Sequence, residues 1–345
     1  MKSLLVKLFV IITPFAIVVS VVNYFVDPAN IFSGGVFEKE IASILAKGHN
    51  VDNVSNYNER ILQREALSKS RNADIIILGS SRIMEASSDL FPGQVIQNCG
   101  VSHCNINDLI AFTGLMDSLH IIPHKLIIEL DIATVAAKGT SEWESLIDFH
   151  RYAMKNLLHQ PFDYPYENPF LTQVINLLSL NYFHESFAYL LKGAKQGYVD
   201  VFKAKPLSSG RFSDGSISYP FEYTHPDTFK IATDAKQDGL RNGMPELSES
   251  KLNLMKSILV RLLQSGTKIE LVMMPYQVDY FNAVNSKSKK ILYRVEARFI
   301  EMAADLSIPI FGSLDPYTLH LSNVDFYDRW HCNKEAVKKI FATRK

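Results

Sequence analysis

The sequence predicts a three-layer α/β domain on a parallel sheet of about five strands, with a helical insertion and one N-terminal transmembrane helix. Three observations predict it. Uninterrupted apolar runs such as Ile75-Ile76-Ile77-Leu78 have the pattern of strands buried on both faces, as in a parallel sheet covered by helices. A helical pattern over 248–265 runs into a strand pattern over 268–274, the alternation an α/β fold requires. With 345 residues and 47% hydrophobic content, the chain can bury a large core, as one big domain or one domain with insertions. Lys+Arg 36 against Asp+Glu 36 leaves a formal charge of zero. No basic excess is then available to neutralise phosphates, which argues against nucleic acid as the main partner. The sequence contains no internal repeat and no low-complexity tract.

Residues 4–22 are apolar except for Lys7 and two hydroxyls, and about 20 such residues cross a bilayer. Lys2 and Lys7 lie on the N-terminal side, so the positive-inside tendency keeps the N-terminus in the cytoplasm and places everything after Asn23 outside. A cleaved signal peptide competes with this reading, but Asn23-Tyr24-Phe25-Val26 is bulky and offers no small-x-small site. An uncleaved signal anchor over 1–26 is therefore preferred, with Tyr24 and Phe25 at the outer interface and Asp27-Pro28 ending the helix. Residues 27–72 read as a juxtamembrane linker, with helices over 37–46 and 57–69 and no chemistry of its own. Asn53-Val54-Ser55 matches a glycosylation acceptor pattern, one frequent by chance.

The main domain, 73–345, opens on the strand 75–78 and then turns at Gly79-Ser80-Ser81. A hydroxyl at such a strand-to-helix corner lies near backbone N–H groups, and nucleophilic serines are commonly displayed there. The competing reading is that Ser80 or Ser81 only caps the next helix. Val95 and Ile96 suggest a second short strand, followed by Asn98-Cys99-Gly100-Val101-Ser102-His103, in which Gly100 by itself reads as a turn glycine. The third strand, 125–131, ends with Asp131 near its C-terminal edge, where ligands of open parallel sheets bind.

Residues 139–250 read as an insertion that hangs over this edge, with helical patterns over 143–158, 169–178 and 184–195 and a Gly-, Ser- and aromatic-rich stretch over 197–223. Tyr164, Tyr166, Phe212, Tyr219, Phe221 and Tyr223 are candidates to stack on sugar rings or, alternatively, core residues. After the fourth strand, 268–274, Tyr276 and Gln277 reach the same edge, where Gln277 either lines the pocket or donates to the substrate. The fifth strand is 308–311. Asp315 and Asp325 read as surface or turn residues. Phe326-Tyr327-Asp328-Arg329-Trp330-His331 then supplies Asp-x-x-His ahead of a lysine-rich helix over 335–340. A serine nucleophile needs a base and the base needs an orienting partner, and Asp328 and His331 supply both from one turn.

A Gly-x-Ser corner after the first strand, Asn-x-Gly after the second and a C-terminal Asp-x-x-His together resemble the SGNH/GDSL hydrolase superfamily. The match is nearest to its membrane-anchored bacterial branch, which includes the D-alanine transfer protein of teichoic acids and partners of envelope acyltransferases. The resemblance covers roughly 73–345. It implies Ser81 as nucleophile, because the superfamily serine takes the third place of Gly-x-Ser, with His331 as base and Asp328 as its partner. It implies oxyanion or substrate contacts from Gly100 and from the position held here by His103, where the family has glycine. The family's asparagine donor after the third strand is absent, and an ionised Asp131 would repel an oxyanion. Arg82 either guides an acidic glycan or forms a surface salt bridge.

What the resemblance implies about function is an esterase or O-acyltransferase in the bacterial cell membrane. Its domain would lie in the periplasm or outside the cell and move an acyl group, acetyl by expectation, onto or off an envelope polysaccharide without metal or organic cofactor. A non-catalytic binding or assembly partner of a membrane acyltransferase or polysaccharide export system is the alternative. Outside the membrane, a disulfide from Cys332 to Cys99 or Cys104 would fix the base beside the oxyanion loop. Zinc held among Cys99, His103, Cys104, His331 and Cys332 is a further alternative, although the spacings fit no familiar zinc pattern.

Overall fold

The structure, a computed structural model, describes residues 2–27, 31–32, 34–52, 54, 57–69, 72–164, 169–191, 209–241 and 243–344, the side chains at 2–6, 8–9, 169, 172, 228 and 229 excepted. Asn53, Ser55, Tyr166 and residues 192–208 lie outside this set, and with them the glycosylation pattern, one of the candidate stacking aromatics and the end of the third insertion helix.

Strands β1 (Ile75–Leu78), β2 (Ile96–Asn98) and β3 (Lys125–Leu130) precede the insertion. A two-stranded ribbon, β4 (Gly210–Arg211) and β5 (Ile217–Ser218), lies within it, and β6 (Lys268–Met273) and β7 (Ile310–Gly312) follow. The main sheet is parallel throughout, in the order β2-β1-β3-β6-β7. The chain steps to one side of β1 to make β2 and to the other to make β3, so the switch in strand order falls at the end of β1, where Ser81 follows. Prediction and structure agree on all five runs, with small shifts at the ends. The last strand starts two residues later than its apolar run, because Pro309 has no N–H for the ladder and contributes only its carbonyl, to Leu271 N at 2.9 Å.

Alternation along each strand divides the core. Ile76, Leu78, Leu126 and Ile128 pack on one side against helices α4 (Ile106–Ser118), α11 (Glu249–Gln264) and α13 (Ser286–Asp305). Ile75, Ile77, Ile127 and Val272 pack on the other, against α14 (Lys334–Ala342). Each such side chain contributes roughly 1.5–3 kcal/mol by leaving water. The short α5 (Ile132–Val135) follows β3, and α12 (Val278–Ala283) follows β6.

Upstream, α1 (Lys2–Val26) leads to α2 (Val36–Leu45) and α3 (Glu59–Lys69), which close a small core of their own around Ile41, Leu45 and Leu62. Among the described residues, no helix is long and apolar enough to cross a membrane; the apolar run 4–22 includes positions whose side chains fall outside that set.

The insertion contains α6 (Ile147–Tyr152), continued by a π-helical turn at Ala153–Leu157, then α7 (Pro169–Leu178), α8 (Leu180–Leu191), the β4-β5 ribbon, α9 (Phe221–Thr224) and α10 (Thr228–Arg241).

The corner after β1 departs from expectation. No α-helix follows it. The chain makes two 3₁₀ turns, Ser81–Ile83 and Ser88–Leu90. The carbonyls of Ile83, Met84 and Ala86 converge on the side-chain amide of Asn98 at 3.0, 3.4 and 2.9 Å, while Ile83 O also takes the i+3 bond from Ala86 N and Met84 O a bond from Ile217 N, both at 2.9 Å. A helix macrodipole is therefore not available to the serine.

Candidate active site

Gly79 shapes the corner by close approach. A methyl group there would lie 2.5 Å from Cβ of Glu129 on the neighbouring β3, so no larger residue fits without moving the strand. Ser80 takes the capping role that the sequence left open between the two serines: its Oγ accepts from Arg82 N at 3.3 Å, and its own N–H goes to Glu129 Oε2 at 2.8 Å. That leaves Ser81, half-buried, with its hydroxyl directed elsewhere.

Ser81 Oγ lies 2.8 Å from His331 Nε2, and His331 Nδ1 lies 2.8 Å from Asp328 Oδ2. Asp328 Oδ1 accepts the N–H groups of Trp330 and His331 at 2.7 and 2.8 Å, so the acid fixes the turn that carries the imidazole. Burial pushes the Asp328 carboxyl up, but His331, the Trp330 N–H and the Tyr223 hydroxyl outweigh it and hold the group at about 2. With Asp328 ionised, the proton of His331 sits on Nδ1 and leaves Nε2 free to accept from Ser81.

Tyr223 was among the sequence's stacking candidates, but its role here is different. From α9 in the insertion, its hydroxyl donates to Asp328 Oδ2 at 2.7 Å and lies 2.9 Å from His331 Nδ1. Its ring lies 4.6 Å from Tyr219 and 5.4 Å from Tyr327, centroid to centroid. Burial first, then the charge of Asp328, raises its phenol far above the ordinary value, so it stays a donor.

These groups open into a cavity of about 750 Å³. Ser81, His331, His103, Tyr219 and Tyr223 line it, together with Tyr57, Asn58, Glu59 and Arg60. The last four correct the reading of 27–72 as a linker without a part in the site. Arg60 fastens them in place through ion pairs to Asp108 at 2.7 Å and Glu142 at 2.8 Å. Beneath the floor, fully buried Arg211 pairs with Glu59 at 2.9 Å. No periodic pattern marks 57–60. In the sequence, 57–60 reads only as the start of a helix in a linker packing on the domain, and the pair Glu59-Arg60 is the one hint of buried charge.

Other expected site residues go elsewhere. Gly100 is buried, and its N–H is taken by Asn98 Oδ1 at 2.8 Å, so it is not free for an oxyanion. His103 does face the cavity, and its φ of 55° is the left-handed conformation usually held by glycine. Its exposed ring lies 3.3 Å from Glu142. Asp131 is withdrawn into a buried network: it caps α5, accepts from Tyr276 Oη at 2.8 Å and pairs with Arg82 at 2.9 Å. Tyr276 is consumed by that contact. Gln277 is buried too, capping α12 through Tyr280 N and donating to Asn323.

Neither proposed role of Arg82 holds, because it is buried under the corner with its guanidinium 4.3 Å from the centre of the Tyr276 ring and bonded to the Met274 carbonyl. Among the other stacking candidates, Tyr219 lies at the cavity wall, whereas Tyr164 bonds Glu144 and packs on Trp143. Asp315 is a turn residue that accepts from Tyr317 N; Asp325 is buried, accepting from Ser322 and paired with Lys339.

The three cysteines are free and buried. Cys99 and Cys104 belong to the core on one side of the sheet and Cys332 to the core on the other, which rules out the expected disulfide in this fold. Burial pushes the Cys332 thiol up to about 12. Among the described residues, no group of three His, Cys, Asp or Glu side chains could hold a metal ion.

No known protein-family model matches this chain, and a search of curated proteins finds no match.

Proposed function

We propose that the protein is a membrane-anchored serine esterase or O-acyltransferase, SGNH-like in its motifs, that acts on acyl esters of a cell-envelope polysaccharide, with acetyl as the expected group. The observation that carries this reading is the continuous chain Ser81 Oγ, His331 Nε2, His331 Nδ1, Asp328 Oδ2, with both links at 2.8 Å, opening into a cavity large enough for a sugar ester. Ser81 Oγ attacks the ester carbonyl as His331 Nε2 takes its proton. The carbonyl π electrons move to oxygen, and the backbone N–H of Ser81 is a donor at hand for that charge. Collapse breaks the bond to the leaving alcohol, which receives the proton from His331. Water or an acceptor hydroxyl then repeats the sequence in reverse, with His331 again the base, and frees Ser81. Asp328 stays ionised throughout and balances the imidazolium. Helix α1 is the proposed anchor, holding the domain on the outer face of the membrane.

A second reading has an observation of its own. The Gly100 N–H is spent on Asn98, the asparagine donor of the resemblance is absent after β3, and His103 stands where the family has glycine. That favours a non-catalytic partner of a membrane acyltransferase or polysaccharide export system. Labelling the detergent-solubilised full chain with a fluorophosphonate probe separates the two. An esterase labels, and Ser81→Ala and His331→Ala do not. A folded parent that takes no label rejects the enzyme and favours the binding partner.

A further inference from the structure

We infer that α7 and α8, inside the insertion, form a second membrane-seated element: with the outer part of α1 they make one apolar surface that outer-leaflet lipid covers. This rests on the reading of α1 as the anchor and adds to it a second point of attachment.

The three helices belong together. Helix α1 packs against both α7 and α8. Most of the contact is apolar, with Val19 buried, but two polar links fix the geometry. Asn23 is fully buried, and its side-chain amide donates to the carbonyls of Asn176, Leu177 and Ser179 at 3.0–3.1 Å. Asn176 and Leu177 belong to the last turn of α7 and Ser179 joins it to α8, where helix-end carbonyls run short of partners; the Asn176 carbonyl also accepts Ser179 N at 3.2 Å and the Ser179 carbonyl Phe183 N at 3.0 Å. In lipid such groups cannot turn to water, so a neighbouring helix must satisfy them. Next to this contact, the Tyr182 hydroxyl donates to Asp27 Oδ1 at 2.8 Å.

What the helices turn outward is mostly apolar, with Gln173, Asn181, His184 and Glu185 the polar side chains among the exposed ones described. On α7, Phe170 is 71% exposed, with Leu171 and Ile175 beside it; on α8, Phe187, Leu190 and Leu191 are exposed, the last by 74%. The stretch 169–191 contains no Lys or Arg, and Glu185 is its one acidic residue. This surface continues that of α1, where Ile11, Phe15 and Ile17 are exposed in the same way. Contiguous apolar area on this scale marks a surface that is covered in the working protein. Lipid is the occupant the chemistry favours, because the surface is continuous with the anchor and its one full charge in 169–191 is Glu185, too little for the charged rim of a protein contact.

Helices of 10 and 12 residues are about 15 and 18 Å long, too short for a hydrocarbon core of about 30 Å. They therefore seat in the outer leaflet and its interface rather than cross. Aromatic rings cluster at the matching level: Tyr24 lies 5.3 Å from Phe25 and 5.7 Å from Phe32, which lies 6.2 Å from Tyr182.

The test places an environment-sensitive fluorophore on single introduced cysteines of the full chain in phosphatidylcholine/phosphatidylglycerol nanodiscs. The sites are Leu171→Cys and Leu190→Cys, with Ile12→Cys in α1 as lipid reference and Tyr293→Cys in α13 as water reference; the native cysteines are buried. Spin-labelled lipid should quench the probes at 171 and 190 to within about twofold of the probe at 12 and leave the probe at 293 unaffected. If iodide in the water quenches 171 and 190 while lipid quenches 12, the inference is overturned and the anchor stands. Protection of 171 and 190 from both quenchers means that protein covers the face, which also overturns it. Quenching of position 12 by iodide alone removes the anchor and this inference together.

Discussion

Replacing Tyr223 with phenylalanine removes one oxygen and tests how the triad is held. The hydroxyl shares Asp328 Oδ2 with His331 Nδ1, at 2.7 and 2.8 Å respectively. A hydrogen bond to a charged group contributes about 1.5–3 kcal/mol when buried. Asp328 keeps a third of its side-chain surface, so water replaces part of the loss and about 1 kcal/mol remains. On the rate side, Tyr223 draws charge away from the oxygen that faces the imidazole. Without it, Asp328 holds the imidazolium more strongly, and the acid limb of fluorophosphonate labelling against pH moves upward. At 1.36 kcal/mol per pH unit, about 1 kcal/mol bounds the movement of the limb at about 0.7 unit, reached only if the whole bond is felt in one protonation state. The labelling rate on the plateau falls by less than about tenfold, because serine and base remain in contact. A thermally normal Tyr223→Phe protein whose acid limb coincides with the parent's would refute the assignment of Tyr223 as a positioning residue.

Arg60→Met leaves Asp108 charged and unpaired in the core, which costs about 3–5 kcal/mol; denaturant unfolding should show it, and adding Asp108→Leu should recover much of the loss. Glu85 is pushed up to about 7, by burial first, with Lys334 and Tyr327 opposing. Between its ordinary range and about 7, the unfolded chain has released this proton while the folded one keeps it, so stability falls as pH rises through that window, by at most about 1.4 kcal/mol per pH unit. Glu85→Gln should therefore flatten the decline of Tm between pH 5 and pH 8, and an unchanged slope would assign it to other groups.

The sheet's five strands were legible because most contain a short apolar run of the kind that burial on both faces accommodates; their order and register depend on pairings that no single run encodes. Ser81, His331 and Asp328 were legible because their residue types carry chemical roles whatever the backbone does. The surroundings were not. Gly100, Asp131, Tyr276 and Gln277 sit where a sheet edge predicts them, but a side chain at an edge can point inward, and the arginine that draws Asp131 in is 49 positions away in the sequence. Nothing in a strand pattern says that Asn98 will collect three carbonyls and hold the corner in 3₁₀ turns. The pocket wall at 57–60 was missed for a similar reason: Arg60 binds Asp108 and Glu142 across 48 and 82 residues, contacts without a local signature.

Ser81 and the imidazole that touches it are 250 residues apart, and the tyrosine that steadies the acid comes from between them. In a chain delivered N-terminus first, the serine is laid down early and its base very late. Until α14 packs beneath the sheet and the insertion folds across the edge, Ser81 is an ordinary hydroxyl. On the proposed mechanism, reactivity would arrive only with completion of the fold, and a half-made or clipped chain would carry no armed nucleophile.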